Sequence, residues 1–222
     1  MRAFVLLSLS LSLAACEFSG GTGKLTPAPR ITCDGARDPL QTDAGGDEYD
    51  CLVLASVATY MHPDAMLIKA QIAQESAFNP DSISGDSPCG IPVGWTDPEA
   101  KSFGLTQVTP ACNEASTLLL PDGHPNLATD EKSDLWVNSV FNPTANIDEG
   151  VRTTVNFLNG VKKAWPGCTD AEYALMSAGA FNSGPRSVLG CNMYNARAAM
   201  YVTSVLGHYS IFASRAGWPN PY

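Results

Sequence analysis

The stretch AQESAFNP, residues 73–80, decides the interpretation of the chain, because it places one carboxylate at the end of an apolar helix. Small and aliphatic side chains recur upstream at helical spacing and predict a helix that begins near Pro63. The helix is expected to end before Pro80, because a residue that precedes proline disfavours the helical conformation. Glu75 then lies in the last turn, where the carbonyl end of the helix and apolar neighbours both disfavour a charged carboxylate. Such a carboxylic acid stays protonated and is suited to deliver a proton.

The composition is that of one acidic domain with a sizeable core. The chain has 222 residues, of which 45% are hydrophobic and 16% charged, and its formal net charge is -9. A length of this size is typical of one domain rather than two. The sequence has no basic run and no arginines interleaved with aromatic residues, so no binding to nucleic acid is expected. The acidic balance also argues against the capture of anionic polymers by charge.

The first residues predict export and a lipid anchor. An apolar run at residues 3–15 is too short to span a bilayer, so residues 1–15 are interpreted as a signal peptide. The run ends in LAAC, residues 13–16, which resembles the bacterial lipobox, whose cysteine is acylated and becomes the mature N-terminus. Cys16 is therefore expected to anchor the protein to a membrane of the bacterial cell envelope, on the periplasmic side of the outer membrane. The alternative is an ordinary secretory peptide cleaved near Ala14 or Ala15, and a secreted protein.

A flexible tether is predicted at residues 16–47, and the folded domain at residues 48–222. The tether segment is rich in Gly, Thr, Pro and Asp, a composition typical of linkers. A flexible segment of this size reaches on the order of 30 Å. A domain held at a membrane by Cys16 would then act on material beside that membrane.

The seven cysteines fit an exported protein without a metal site. Acylation of Cys16 leaves an even number, which suits three disulfides in an oxidising compartment. The remaining cysteines are Cys33, Cys51, Cys89, Cys112, Cys168 and Cys191. The sequence has no C-x-x-C pair and no histidine in a ligand pattern with cysteine, so neither a zinc site nor another cofactor is expected.

The rest of the chain predicts a mainly α fold (α+β), with several helices around a cleft and at most a small β-hairpin. Residues 50–61 are apolar and long enough to favour a helix, whereas residues 81–102 are dense in loop-forming residues. Thr169 is the expected N-cap of a later helix, with Glu172 at its third position. Further helices are predicted at residues 114–120, 142–165, 170–181 and 194–213.

Five motifs follow one another along the chain in a specific order. They are AQESAFNP at residues 73–80, FGLTQVTP at 103–110, FNPTANIDEGV at 141–151, ALMSAGAFNSGP at 174–185 and YVTSVLGHY at 201–209. Each is weak alone, since a Glu-Ser pair at a helix end is usually a solvated carboxylate. Their order resembles the lytic transglycosylase family, the SLT-type domain of glycoside hydrolase family 23, which is related to goose-type lysozyme. The resemblance implies a lysozyme-like fold.

The resemblance implies an enzyme that cleaves peptidoglycan strands between N-acetylmuramic acid and N-acetylglucosamine. Glu75 would be the sole general acid/base, and the muramoyl C6 hydroxyl would attack C1 and close a 1,6-anhydro ring. No cofactor is implied, and we expect a monomer. The residues implied to lie by the substrate are Ser76, Gln107, Phe181, Asn182 and Tyr201.

Local structural roles are the alternatives for most of these residues. Ser76 and Gln107 would instead make a helix-end and a loop hydrogen bond. Asn182 would cap the helix that it ends, and Tyr201 would pack in the core.

Departures from the family pattern keep two rivals open. Phe181 stands where the family has tyrosine, so a hydroxyl expected near Glu75 is absent, and an inactive peptidoglycan-binding lipoprotein is one rival. The other is a goose-type lysozyme, which shares the fold but uses water as the nucleophile, and which tends to have aspartate where Thr109 stands.

Trp95, in the long loop after Glu75, is expected either to stack on a sugar ring or to pack. A second carboxylate from the same loop would be Asp86, Asp97 or Glu99.

The positions of the motifs also guide the choice among the fifteen pairings that six cysteines allow. Each bond is chosen because it closes a local loop around a motif, and each would contribute about 2–4 kcal/mol to the free energy of unfolding. The predicted bonds are Cys33–Cys51, Cys89–Cys112 and Cys168–Cys191.

Replacing Cys16 tests the anchor, because acylation needs the cysteine thiol. We expect Cys16→Ser to move from the membrane fraction to the soluble fraction, with the activity of the domain unchanged. Cell fractionation measures the first effect, and mass spectrometry of the mature N-terminus detects the acyl chains. A wild-type protein that is wholly soluble, with an unmodified N-terminus, would contradict the lipobox prediction.

Overall fold

The computed structural model describes residues 40–85, 92, 94–113 and 115–222, and within them it contains five α-helices and two small antiparallel sheets. The helices are α1 (Asp50–Tyr60), α2 (Ala65–Ser76), α3 (Pro143–Ala164), α4 (Asp170–Ser183) and α5 (Ala196–Ala216). The strands are β1 (Ile83–Ser84), β2 (Ser102–Phe103), β3 (Val188–Gly190) and β4 (Met193–Tyr194). Strand β1 pairs with β2, and β3 pairs with β4. The mainly α class is confirmed, with one more hairpin than predicted.

Helix α2 is the central helix, and its neighbours cover it on every side. Its residues 65–73 are all buried, and the hydrophobic core around them draws side chains from the other four helices. A helix without a solvated face needs apolar or paired side chains all round, which is what this segment supplies. Its neighbours in the core include Val53 from α1, Val151 from α3, Ala178 from α4 and Tyr209 from α5.

Helix α2 begins two residues later than predicted and also ends earlier. Asp64 is its N-cap, and the carboxylate accepts a hydrogen bond at 3.0 Å from a backbone amide of the first turn. The helix ends at Ser76 because Ala77 and Phe78 both adopt the left-handed conformation, with φ of 51° and 63°. Glu75 keeps its predicted place in the last turn.

The N-cap of α4 lies where the sequence placed it, and α3 begins one residue later than predicted, with Asn142 as its N-cap. The Asn142 side chain accepts hydrogen bonds from two backbone amides at the start of α3. Thr169 and Glu172 form the predicted capping box of α4, in which the Glu172 carboxylate accepts from the Thr169 amide at 2.7 Å. Helix α5 begins two residues later than predicted, because Tyr194 instead pairs with Val188 in the second hairpin.

The prediction of a helix at residues 114–120 is wrong. Residues 115–120 form turns, and the residue before them lies outside the described chain. This segment is held against α3 instead. Asn113 donates a hydrogen bond at 2.8 Å to the buried carboxylate of Glu149, which also pairs with Arg152 at 2.6 Å. Contacts to a distant helix therefore override the local helix propensity.

A buried lysine ties the start of the described chain to α2. The Lys69 ammonium lies 2.6 Å from Asp47 and 2.7 Å from Asp50. It also donates a hydrogen bond at 3.0 Å to the carbonyl oxygen of Leu40. The lysine side chain is 1% exposed, so these partners compensate the cost of burying it. Residues 40–47, expected to belong to the tether, lie against the domain for this reason.

A disulfide joins Cys168 and Cys191, with a Cα–Cα distance of 5.6 Å that is normal for such a bond. It is one of the three predicted pairs and ties the turn before α4 to the β3–β4 hairpin. The Glu172 carboxylate lies within 4.8 Å of both sulfurs. Sulfurs joined in a disulfide are not thiolate ligands, so this cluster does not offer a cysteine site for a metal.

Cys51 and Cys112 are also disulfide-bonded. Their predicted partners, Cys33 and Cys89, lie outside the described residues, so those two pairings stay predictions. Cys16 and the predicted signal peptide lie outside the described residues as well. Among the helices that are described, none is both long enough and apolar enough to cross a membrane.

Lys69→Ala is expected to lower the free energy of unfolding by about 3–5 kcal/mol, because it removes the buried counterion of Asp47 and Asp50. Lys162→Ala is the matched control, since Lys162 pairs with Asp170 at the surface, at 3.3 Å. The control is expected to cost less than about 1 kcal/mol. Urea unfolding followed by circular dichroism measures both variants, and equal midpoints would contradict the structural role of Lys69.

Candidate active site

Glu75 and Tyr201 meet where the end of α2 packs against α5. The Tyr201 hydroxyl donates a hydrogen bond to Glu75 Oε1 at 2.6 Å. Tyr201 is 7% exposed, and Glu75 is partly buried. Both residues project from helices whose other side chains form the main core, so packing rather than a loop fixes the distance between the two groups.

Burial raises the pKa of the Glu75 carboxyl to about 7, and the hydrogen bond from Tyr201 opposes this shift only in part. The pKa of the Tyr201 hydroxyl lies well above its ordinary value, first because the group is buried and then because the Glu75 charge faces it. Tyr201 therefore keeps its proton at neutral pH and directs it at Glu75. A carboxyl that titrates near neutrality can both give and take a proton.

The Glu75 carboxyl lines a small pocket between α2, α3 and the end of α4. The lining also includes Ile68, Gln71, Ile72, Thr106, Thr154 and Phe181. Glu75 is the one charged residue in this lining among the described residues. The apolar members keep water away from the carboxyl, which accounts for its raised pKa.

Phe181, from the end of α4, lies in the lining where the family pattern has a tyrosine. The hydroxyl that this substitution removes is not replaced from α4. Tyr201 supplies a hydroxyl from α5 instead, at 2.6 Å from the carboxylate. The Glu75 carboxyl thus has a phenol partner although Phe181 has none to offer.

Asn146, on α3, holds the loop that follows β2. Its buried side-chain nitrogen donates to the carbonyl oxygens of Phe103 at 2.9 Å and of Val140 at 2.8 Å, while Oδ1 accepts from the Thr106 amide at 2.8 Å. Gly104 has a φ of +72°, and a Cβ there would lie 2.3 Å from the Asn146 nitrogen. The loop therefore needs glycine at this position, and its path is set by one asparagine.

Gln107 is buried in the same loop, and its amide bonds entirely to protein. Its nitrogen donates to the carbonyl oxygens of Gly104, at 2.8 Å, and Ser82, at 3.2 Å. Its oxygen accepts a hydrogen bond from the Ser84 hydroxyl. These bonds join the loop to β1, which is the structural alternative raised for Gln107 from the sequence.

Ser76 and Asn182 also make local hydrogen bonds. The Ser76 hydroxyl donates to the carbonyl oxygen of Ile72 at 3.2 Å, as at a helix end. The Asn182 side-chain oxygen accepts from the Ser183 hydroxyl at 2.9 Å. The structure thus brings Glu75, Phe181 and Tyr201 together, whereas Ser76, Gln107 and Asn182 have local partners.

The carboxylates considered as rivals to Glu75 lie in the long loop. Glu99 accepts hydrogen bonds from the Thr96 amide at 2.5 Å and the Thr96 hydroxyl at 2.6 Å, and it pairs with His124 at 2.8 Å. The Thr96 bonds first, and His124 after them, lower the pKa of Glu99. Trp95 packs on the His124 ring, with the ring centroids 5.9 Å apart. Asp86 and the side chain of Asp97 lie outside the described parts of the chain.

Two residues of this region were not recognised from the sequence. Asn146 and Gln71 are polar residues at buried positions of otherwise apolar helix faces. That signal is present in the sequence, because a polar residue in an apolar stripe needs a partner. The partners of Asn146, Phe103 and Thr106, are far away in the chain.

Glu75→Gln is expected to gain stability over the wild type as the pH rises. The pKa of Glu75 is about 7 in the folded chain against 4.5 ordinarily. The contribution of protonated Glu75 to the stability of the wild type is therefore fully present below about pH 4.5 and is lost as the pH rises through 7. Glutamine does not titrate, and the gain at pH 8 should be about 2 kcal/mol relative to that at pH 4.5. Urea unfolding at both pH values measures it. A stability difference that does not change with pH would contradict the raised pKa.

A family model matches the chain over residues 55–201, which is more than half of its length. The model describes the transglycosylase SLT domain, and the match begins in α1 and ends at Tyr201. No curated protein and no solved structure matches the chain. The mainly α architecture described above is that of a lysozyme-like fold. With more than half of its length matched, the chain belongs to the transglycosylase SLT domain family.

Proposed function

We propose that this protein is a peptidoglycan lytic transglycosylase that cleaves the β-1,4 bond between N-acetylmuramic acid and N-acetylglucosamine, with Glu75 as the sole general acid/base. Family membership supports a transglycosylase-type activity on peptidoglycan in general. The observation that carries the finer proposal is the Glu75 carboxyl, with a pKa of about 7 in an apolar pocket and a hydrogen bond from Tyr201.

In the first step, protonated Glu75 gives its proton to the glycosidic oxygen as the bond to C1 breaks. The leaving sugar takes that proton as a hydroxyl group, and Glu75 becomes a carboxylate. In the second step, the C6 hydroxyl of the muramoyl sugar attacks C1 and returns its proton to Glu75. The ring closes as a 1,6-anhydro sugar, no water is consumed, and the enzyme ends in its starting state.

One carboxyl is sufficient for this sequence because the nucleophile belongs to the substrate. An intramolecular hydroxyl gains effective concentration from its position and needs no second carboxylate to activate water. Tyr201 contributes by stabilising the carboxylate that exists between the two steps, since its hydroxyl donates to Glu75. Glu99, the described rival, already has Thr96 and His124 as partners.

The same proposal includes the cellular setting expected from the sequence. The chain would be exported, acylated at Cys16 and held at the periplasmic side of the outer membrane, with secretion as the alternative. Residues 16–47 would connect the anchor to the catalytic domain at residues 48–222. Peptidoglycan would be reached by tethering rather than by charge, since the chain carries a formal net charge of -9.

Glu75→Gln is expected to fold and to lose nearly all release of muropeptides, because glutamine keeps the shape of the side chain but has no proton to transfer. General acid–base groups contribute about 10²–10⁴-fold, and a sole acid/base belongs at the upper end. Glu99→Gln is the matched control and should keep activity within about threefold, since its carboxylate serves the long loop. Mass spectrometry of digested wall measures the products.

The products decide between the proposal and its rivals. A transglycosylase releases 1,6-anhydro ends, which are lighter by one water than the reducing ends that a goose-type lysozyme leaves. Reducing ends alone would mean that water is the nucleophile. Wall binding without products would leave the inactive binding lipoprotein, the rival that Phe181 suggests. Full activity in Glu75→Gln would mean that another group is the acid.

A further inference from the structure

Phe78 has a backbone conformation that the end of α2 does not by itself require. Ala77 supplies the left-handed residue with which a helix commonly ends, with φ of 51°. Phe78 follows with φ of 63°, a second left-handed residue and one with a bulky side chain. That conformation costs free energy and persists only where the surroundings hold it. Because Phe78 is three residues after Glu75, whatever holds it also fixes the turn beside the carboxyl.

Two distant parts of the chain hold the Phe78 ring. Gly46 lies directly against it, because a Cβ on Gly46 would come within 2.2 to 2.6 Å of three ring atoms. Gly45 lies close as well, and a Cβ there would be 3.7 Å from the ring. On α5, the Phe212 ring pairs with the Phe78 ring, with the centroids 6.0 Å apart. The ring is therefore in contact with both the segment before α1 and helix α5.

The segment that bears the two glycines, residues 40–47, is called the strap below, and it is itself anchored to two helices. The Asp47 carboxylate accepts hydrogen bonds from the Lys69 ammonium of α2 at 2.6 Å and from the Asp43 amide at 2.8 Å. Arg215, on α5, donates to the carbonyl oxygen of Asp43 at 3.2 Å. The strap is thus fixed to the same two helices whose side chains meet in the active site.

We propose that Phe78 is a positioning residue for Glu75, and that Gly46 of the strap sets the place of its ring. The ring holds the turn after Glu75 against α5. It thereby fixes the approach of the last turn of α2 to α5, on which the 2.6 Å hydrogen bond between Tyr201 and Glu75 depends. The effect on the Glu75 carboxyl stands by itself, whereas the effect on catalysis rests on the proposed function.

Substitutions in the strap act on Glu75 only through the position of the turn. In the described chain, neither Phe78 nor the strap lines the Glu75 pocket. Burial would raise the pKa of Asp47, but the hydrogen bonds from Lys69 and from strap amides outweigh burial and lower that pKa. The anchor of the strap therefore stays ionised over the pH range in which Glu75 titrates.

Gly46→Ala tests the proposal, because the added methyl group has to displace the Phe78 ring. A displaced turn admits water to Glu75, and burial is the larger cause of the raised pKa of that carboxyl. NMR titration of the Glu75 carboxyl carbon is expected to show a pKa lower by about 0.5–1 unit. Gly217→Ala is the matched control, since Gly217 has φ of +68° against +74° for Gly46, but its Cβ would meet no atom within 4 Å. The control should leave the Glu75 pKa unchanged.

Phe78→Ala keeps the test decisive if Gly46→Ala does not fold, because it removes the ring itself. It is expected to lower the Glu75 pKa by a similar amount. Phe157→Ala is its control, since Phe157 is a partly buried phenylalanine of α3 that does not line the pocket. Adding Gly46→Ala to Phe78→Ala is expected to cause no further shift, because the added methyl group then has no ring to displace.

Three results would overturn the proposal. The first is an unchanged Glu75 pKa in Phe78→Ala. The second is the same shift in Gly217→Ala or Phe157→Ala, which would indicate a general loss of stability. The third is an equal shift from Gly46→Ala with and without the Phe78 ring.

The catalytic consequence has its own readout. A small misplacement of a catalytic group is costly, so kcat is expected to fall about 10-fold in Gly46→Ala and to stay within about twofold in Gly217→Ala. Protonated Glu75 starts the reaction, so the alkaline limb of the pH profile of kcat/KM should move to lower pH with the Glu75 pKa. A wild-type chain that releases no muropeptides, but shows the expected NMR shifts, would contradict the proposed function and leave the positioning role of Phe78 intact.

Discussion

The burial of α2 on all sides is the constraint on which the rest of the structure depends. A helix without a solvated face must neutralise every polar group that it carries, and Lys69 does so through Asp47 and Asp50. The same packing leaves only the last turn near the surface, and Glu75 lies there. Since α2 cannot shift without opening the core, the carboxyl of Glu75 has a fixed position relative to α5 and Tyr201.

The chemistry at the end of α2 is a balance between burial and hydrogen bonding. Burial alone would keep the Glu75 carboxyl neutral, and a hydrogen bond from Tyr201 draws it back toward the charged form. The result is a glutamate carboxyl whose pKa is about 7 instead of the ordinary 4.5. The strength of the Tyr201 hydrogen bond therefore matters as much as the depth of the pocket.

The sequence was informative wherever local physics decides the structure. The capping box of Thr169 and Glu172 marked the start of α4, because capping needs only nearby backbone. The hairpin of β3 and β4 was not predicted, since strands of two or three residues carry no periodicity. The helix expected at residues 114–120 was wrong because a distant helix holds that segment, through Glu149 to Thr117 and Arg152 to the Ala115 carbonyl oxygen. The contact of Tyr201 with Glu75 spans 126 residues, and only the family resemblance pointed to that region of the chain.

The loop after β2 and the α3 surface beneath it fit together without spare room. A Cβ on Gly150 would lie 2.5 Å from the Thr106 side chain, and the Thr106 hydroxyl bonds in turn to Asn146, against which Gly104 packs. In an evolving lineage such residues change together or not at all. Among relatives of this chain, the size of the residue at 106 should therefore covary with the space left at 150. A scan of single substitutions would score all four positions as intolerant, whereas a paired library at 106 and 150 would reveal the combinations that the fold accepts.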